Sequence, residues 1–326
     1  MMNDFKYEHP ATIEDAVALG GSEKSAGLFI AGGTDLLGMI KDGTVAPERL
    51  IDLKKIGGLD RIEIRPGQGL RLGALVRLAE IARHPEIREK WTVLAEAAGS
   101  AASPQLRNVG TLGGNLCQRP RCWYFRGAFD CLRKGGGECF AVDGENRYHC
   151  VIGGDPCYIV HPSDTAVALT ALDAVLTVAG RGGEWEVPVR EFFVLPGEDF
   201  TRENILAPGE IVTAVTVPEP ANGTRSTYVK IRERESFDFA VASVAAVLVP
   251  RGRTVMSGAV AFGGIAPVPW LEKAVSANLS GFKISAENLD NLADSALAGA
   301  QPMEQNAYKV TLARNLLKKA VRGLTA

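Results

Sequence analysis

All six cysteines of the 326-residue chain fall in one short stretch, at Cys117, Cys122, Cys131, Cys139, Cys150 and Cys157. That stretch also carries seven glycines between Gly127 and Gly154 and little apolar periodicity. Such a segment is a poor candidate to fold by core burial alone, and loops this long are uncommon in compact domains unless something holds them. A metal centre would supply the missing constraint. The N-terminus, "MMNDFKYEHPATIEDAV", has neither the basic start nor the apolar core of a signal peptide. The expected compartment is therefore the reducing cytosol, or the periplasm only if the chain is exported folded with a signal-bearing partner. In the cytosol, clustered thiols more often bind metal than pair with one another. Structural zinc usually takes two close pairs, and here only Cys117 and Cys122 come as near as four intervening residues. Iron–sulfur clusters accept wider spacings, because their irons offer separated corners. Between Gln118 and Lys134, Arg119, Arg121, Arg126, Arg133 and Lys134 face only Asp130, a positive surrounding that suits a negatively charged thiolate cluster.

The rest of the chain reads as an ordinary folded protein. Hydrophobic residues make up 46% and charged residues 23%, enough for a sizeable core at a length that suggests two domains. The formal net charge of −2 calls for no nucleic-acid partner. No apolar run is long enough to span a bilayer. Thr12 is placed to cap a helix carrying Ala16 and Val17. "RIEIRPGQGLRLGA" reads as a hairpin turning at Pro66 and Gly67. Ser163 caps a helix that leads into a strand through Val175 to Val178. The Pro/Gly-rich linker from Pro218 to Gly223 is the best domain boundary. Beyond it, two β-rich runs meet at Pro250 to Arg253, and an amphipathic helix carrying Val310, Leu312, Leu316, Leu317 and Val321 ends the chain. Early βα units followed by hairpins predict an α+β fold.

Two glycine loops stand out. In "FIAGGTDLL", Gly32 and Gly33 let the backbone turn sharply and approach a ligand. In "RNVGTLGGNL", Gly113 and Gly114 lie beside Thr111 and Asn115. Successive backbone N–H groups at such turns suit a phosphate, although neither loop fits the G-x-G-x-x-G dinucleotide pattern.

Taken in order, "AGGTDLL", "SPQLRNVGTLGGNL", "HPSDTAVALTALDA", "LAPGEIVTAVTVP" and "YVKIRERESFDFAVASVAAVL" resemble the flavin-binding medium subunits of molybdenum hydroxylases. The resemblance covers nearly the whole chain. It implies a vanillyl-alcohol-oxidase-type FAD-binding domain of two subdomains over residues 1–218. A C-terminal domain with an antiparallel sheet and helices would span residues 224–326. It further implies that Ile30, Ala31, Gly32, Gly33, Thr34, Asp35 and Leu36 wrap the FAD pyrophosphate, with Ala101, Thr111, Gly114 and Asn115 lining the other side. Ser163 and Asp164 would contact the phosphate–ribityl region, and Val212 and Lys230 would lie nearer the isoalloxazine. Read without the resemblance, Lys230 is a solvated surface charge.

Most relatives lack the cysteine stretch. "RPRCWYFRG" and "CYIVHPSD" match the insert, here about residues 117–158, of those medium subunits that carry a [4Fe–4S] cluster. These belong to one group of bacterial aldehyde oxidoreductases and to 4-hydroxybenzoyl-CoA reductase, the aldehyde form matching more closely. The match implies Cys122, Cys131, Cys139 and Cys157 as ligands, with Cys150 the nearest substitute.

The sequence holds no Ser–His–Asp set and no paired-carboxylate signature. The resemblance implies an oxidoreductase subunit that relays electrons. A large subunit would carry the molybdenum cofactor, a small subunit the [2Fe–2S] clusters, and the FAD here would exchange electrons with an external acceptor. In the reductase, electrons would flow the other way, toward molybdenum. The reading from another class is a zinc-stabilised structural or assembly protein.

Overall fold

The computed structural model describes residues 4–21 and 27–325. Three sheets organise them. A small parallel sheet takes β1 (Lys6–Glu8), β3 (Arg49–Asp52) and β2 (Leu28–Ile30), in the order β1-β3-β2. An antiparallel sheet follows, built from β4 (Ile62–Arg65), β5 (Gly69–Gly73), β6 (Val175–Gly180), β7 (Gly183–Pro188) and β8 (Ile211–Val217), in the order β4-β5-β8-β6-β7. The third sheet holds β9 (Arg225–Ile231), β10 (Ala242–Arg251), β11 (Thr254–Gly263) and β12 (Trp270–Leu271), with β13 (Phe282–Lys283) pairing β11.

Local chemistry explains the elements. Thr12 Oγ1 accepts from the Asp15 N–H at 3.1 Å and starts the helix Ile13–Gly20. The β4–β5 hairpin turns where Gly67 adopts φ +76°, and Leu70 and Leu72 face the core. The β10–β11 register shifts between Val249 and Pro250, where proline has no N–H to continue the ladder. Along β10, Val244, Ala246 and Leu248 pack into one core while Ala245 and Val247 pack into another. That alternation reports a sheet covered on both faces. The helices Thr92–Ser100 and Asp164–Ala171 cover one face, and the helix Tyr308–Thr325 covers the other.

The cysteine stretch is mostly irregular, with a helix at Trp123–Arg126 and a single 3₁₀ turn at Leu132–Lys134. It nevertheless builds a core the sequence reading missed. Met39, Tyr124, Phe125, Cys131 and Ala141 are buried together, and Phe129 and Phe140 pack their rings on Tyr124. Four scattered aromatics give no helical or strand period, so the pattern was invisible along the chain. The final helix buries Leu316, Leu317 and Val321 as expected, on a stripe shifted somewhat from the expected one. Lys309, Ala313, Leu316, Leu317, Ala320, Val321 and Leu324 face the core, whereas Val310 and Leu312 lie at its margin.

Candidate functional site

The two glycine loops meet. Gly32 packs so closely on the second loop that a Cβ there would stand 2.2 Å from the Val109 carbonyl oxygen. Gly33 next to it adopts φ +71°, a conformation glycine takes without cost. In the second loop, Thr111 Oγ1 accepts from the Gly114 N–H at 3.2 Å and opens the short helix Leu112–Leu116. Asn115 Oδ1 accepts from both Ser163 Oγ and Thr165 Oγ1 at 2.6 Å, which fastens this loop to the start of the helix Asp164–Ala171. Ser163 Oγ accepts in turn from the Ala166 N–H at 3.0 Å.

These loops wall a cavity of about 440 Å³. Ile30, Ala31, Gly32, Gly33, Thr34, Asp35, Leu36, Ala101, Thr111, Gly114, Asn115, Asp164 and Val212 all line it. Ser163 and Lys230 do not. Ser163 spends its hydroxyl on the cap and on Asn115, and it faces a second cavity of about 470 Å³ that continues past Asp164. Lys230 is no solvated charge. Its Nζ lies 2.8 Å from Asp164 Oδ2 and 3.3 Å from the Ser100 carbonyl, with 4% of the side chain exposed. Tyr228 OH donates to the other carboxylate oxygen of Asp164 at 2.6 Å. Burial, and then that carboxylate, push the Tyr228 phenol well above its ordinary pKa.

The arginines between Cys117 and Cys131 have another employment than counter-charge alone. Asp35 accepts from the Arg119 N–H at 2.9 Å and from Arg126 at 2.8 Å, and it pairs with Arg121 at 2.9 Å. The glycine loop therefore holds the start of the insert. Arg133 instead lies beside the thiols.

Cys122, Cys131, Cys139 and Cys157 line one small cavity, together with Tyr124, Phe125, Arg133 and His149. Cys117 instead walls the glycine-loop cavity, and Cys150 is buried against Gly154. A hydrogen bond from Cys139 pulls the Cys157 thiol down to about 6, against its burial, and Arg133 helps. Burial pushes Cys117 up to about 12 and Cys122 up to about 11. His149 Nε2 stands 3.3 Å from Cys122 Sγ, and burial lowers this imidazole to about 4, so it is neutral. Among the described residues, no three His, Cys, Asp or Glu side chains are grouped as ligands of a single ion would be. The four cysteines line a cavity of about 10 Å³. Four soft donors lining one cavity beside Arg133 fit a multi-iron cluster in donor chemistry. Glycine backbones around the larger cavity fit a pyrophosphate, since a Cβ on Gly114 would touch only Thr111 Oγ1 within 4 Å. No helix among the described residues is long and apolar enough to cross a membrane.

Comparison with known proteins agrees over the whole length. The family described as "FAD binding domain in molybdopterin dehydrogenase" matches residues 3–220, and the "CO dehydrogenase flavoprotein C-terminal domain" matches residues 227–324. The aldehyde oxidoreductase FAD-binding subunit PaoB of Escherichia coli is 40% identical over 97% of this chain and 96% of its own. The carbon monoxide dehydrogenase medium chain of Hydrogenophaga pseudoflava is 28% identical over 99% and 97%. A solved structure of carbon monoxide dehydrogenase from that organism superposes with a TM-score of 0.79 at 27% identity, over 99% of this chain and 97% of that one.

Proposed function

Because this chain belongs to the family of FAD-binding subunits of molybdopterin dehydrogenases, we propose that it is the flavin subunit of a molybdenum-dependent aldehyde oxidoreductase and also carries a [4Fe–4S] cluster. In this reading FAD occupies the glycine-loop cavity, in a vanillyl-alcohol-oxidase-type arrangement of two subdomains within residues 1–218. The C-terminal domain takes residues 224–326. Cys122, Cys131, Cys139 and Cys157 hold the cluster in the insert, about residues 117–158. The partners are a large molybdenum-cofactor subunit and a small [2Fe–2S] subunit, and electrons leave to an external acceptor. The expected compartment remains the cytosol.

When bound, the flavin exchanges electrons singly or in pairs and the cluster exchanges them singly. The chain's own residues position and insulate. Asp35 draws the insert onto the glycine loop through Arg119, Arg121 and Arg126. Asp164 holds Lys230 at the margin of the flavin cavity, where a cation favours an anionic reduced ring. The aromatic core around Tyr124 keeps water from the thiols.

The observation that carries the cluster is the sorting of the thiols. Four line one cavity and two do not, and the four are those the motif match selects. The test is iron, labile sulfide and flavin analysis of the purified complex and of six single Cys→Ser variants. The expected chain holds one FAD and about four irons beyond those of its partner. Cys122→Ser, Cys131→Ser, Cys139→Ser and Cys157→Ser each lower iron, because serine is a poor soft ligand. Cys117→Ser and Cys150→Ser keep it. Zinc without sulfide, or full iron in a Cys157→Ser variant, overturns the reading.

A further inference from the structure

Glu203 stands between the two cavities and belongs to the lining of neither. Its carboxylate is 7% exposed. On one side it accepts from Arg119, Nε to Oε2 at 2.9 Å and a terminal nitrogen to Oε1 at 3.1 Å, a two-pronged pair. On the other side it accepts from Arg133 at 2.5 Å, and 2% of that arginine's side chain is exposed. Arg133 lines the cysteine cavity, where its Nε has no partner. Arg119 donates its backbone N–H to Asp35 in the flavin loop at 2.9 Å. The backbone around Glu203 is held as well. The Val194 N–H donates to its carbonyl at 3.1 Å, and Arg119 also reaches the Thr201 carbonyl at 2.9 Å.

Glu203 and Arg133 are nearly enclosed, so removing one partner of these ion pairs costs far more than breaking a surface pair, and the series reaches Asp35 through the Arg119 backbone N–H. We propose that Glu203 is a positioning residue that couples the occupancy of the two cofactor sites through the series Asp35, Arg119, Glu203, Arg133. The inference rests on the proposed function, since it requires both cofactors. A cluster held by the four thiols fixes Arg133, and Arg133 fixes the carboxylate. The carboxylate in turn fixes Arg119, and with it the seat of Asp35 in the flavin loop. Reciprocity follows: whatever factor the cluster adds to FAD affinity, FAD adds to cluster retention.

The test is a linkage cycle on the purified chain with its partners. FAD affinity is measured by flavin fluorescence before and after iron is removed with a chelator. The reverse arm measures chelator extraction of iron from FAD-loaded and FAD-stripped protein. In the unaltered chain, iron removal weakens FAD about five-fold or more, and FAD removal speeds iron loss comparably. In Glu203→Gln, each arm becomes independent of the other cofactor to within about two-fold. Arg119→Gln serves as the second variant, because it cuts the series on the flavin side and leaves the buried Arg133 pair intact. Retained coupling in either variant overturns the inference, and so does an unaltered chain whose FAD affinity ignores the cluster. Those results leave the proposed function standing. An unaltered chain that never holds iron refutes the proposed function itself.

Discussion

Gly32→Ala isolates the contact between the two loops that wall the proposed flavin cavity. The added methyl would start 2.2 Å from the Val109 carbonyl oxygen and 2.9 Å from its carbon, whereas ordinary contacts begin near 3.4 Å. The loops must therefore part by about 1.2 Å, the difference between those distances. The neighbours of Val109 resist. The Gly110 N–H is bonded to the Leu106 carbonyl at 2.7 Å, the Leu112 N–H to Val76 at 2.8 Å, and the Gly110 carbonyl accepts from Leu78 at 3.0 Å. Forcing one methyl into a packed site of this kind costs about 1–3 kcal/mol. If a bound pyrophosphate needs both loops in place, that cost appears in affinity, as roughly a 5- to 150-fold weaker FAD. The assay is flavin content as purified and a fluorescence titration, with circular dichroism to confirm the fold. Gly38→Ala is the control, since nothing lies within 4 Å of its Cβ and it sits inside the helix Leu36–Lys41. It should bind FAD normally and gain up to about 1 kcal/mol of stability. An FAD affinity within two-fold of normal in Gly32→Ala would refute the placement of the pyrophosphate between these loops.

Two further outcomes follow from buried groups. Lys309→Met removes the donor to the Tyr148 and Gly264 carbonyls, at 2.7 and 2.8 Å, and should cost about 2–3 kcal/mol in denaturation and lower iron content with it. His161 is buried and held down to about 3, so it stays neutral in the fold while the unfolded chain protonates it below about 6.5. The unfolded state then binds the extra proton, and this residue's share of stability falls by about 1.4 kcal/mol per pH unit as pH drops from 6.5 toward 3. His161→Gln should lose that part of the slope in urea titrations between pH 6.5 and 4.5, and an unchanged slope would sink the assignment.

Much of the frame was legible because its causes are local. Caps at Thr12 and Ser163 declare helix starts by residue type, and the hairpin at Gly67 declares itself by alternation around a turn. The glycine loops were visible for the same reason. Lys230 was not, since nothing near it in sequence tells a surface lysine from one whose partner Asp164 lies 66 residues away. Arg119, Arg121 and Arg126 read as counter-charges for the thiols because proximity along the chain was the only measure available. Folding gives Arg121 and Arg126 Asp35 instead, 91 residues earlier in the case of Arg126, while the Arg119 guanidinium goes to Glu203, 84 residues later.

The cysteine insert carries the lesson further. A glycine-rich loop must satisfy its backbone carbonyls without a ladder. Here five consecutive carbonyls are served by the start of the final helix. Asn306 Nδ2 donates to Asn146, His149 and Cys150 at 3.4, 3.3 and 3.1 Å. Tyr308 OH donates to Arg147 at 3.0 Å and Lys309 Nζ to Tyr148 at 2.7 Å. Burial lowers Lys309 to about 7, so its charge is costly there, and its two carbonyl partners explain why a lysine occupies a core stripe. The insert is thus ordered by the C-terminal domain as well as by its thiols. In the segment from Asn146 to Cys150, the His149 N–H donates within the insert to the Asn146 carbonyl at 2.9 Å and the Cys150 N–H to the Tyr158 carbonyl at 3.1 Å. Cys139 and Cys157 lie on either side of that segment, so the contacts that fix it to the C-terminal domain also help set the approach of these two thiols.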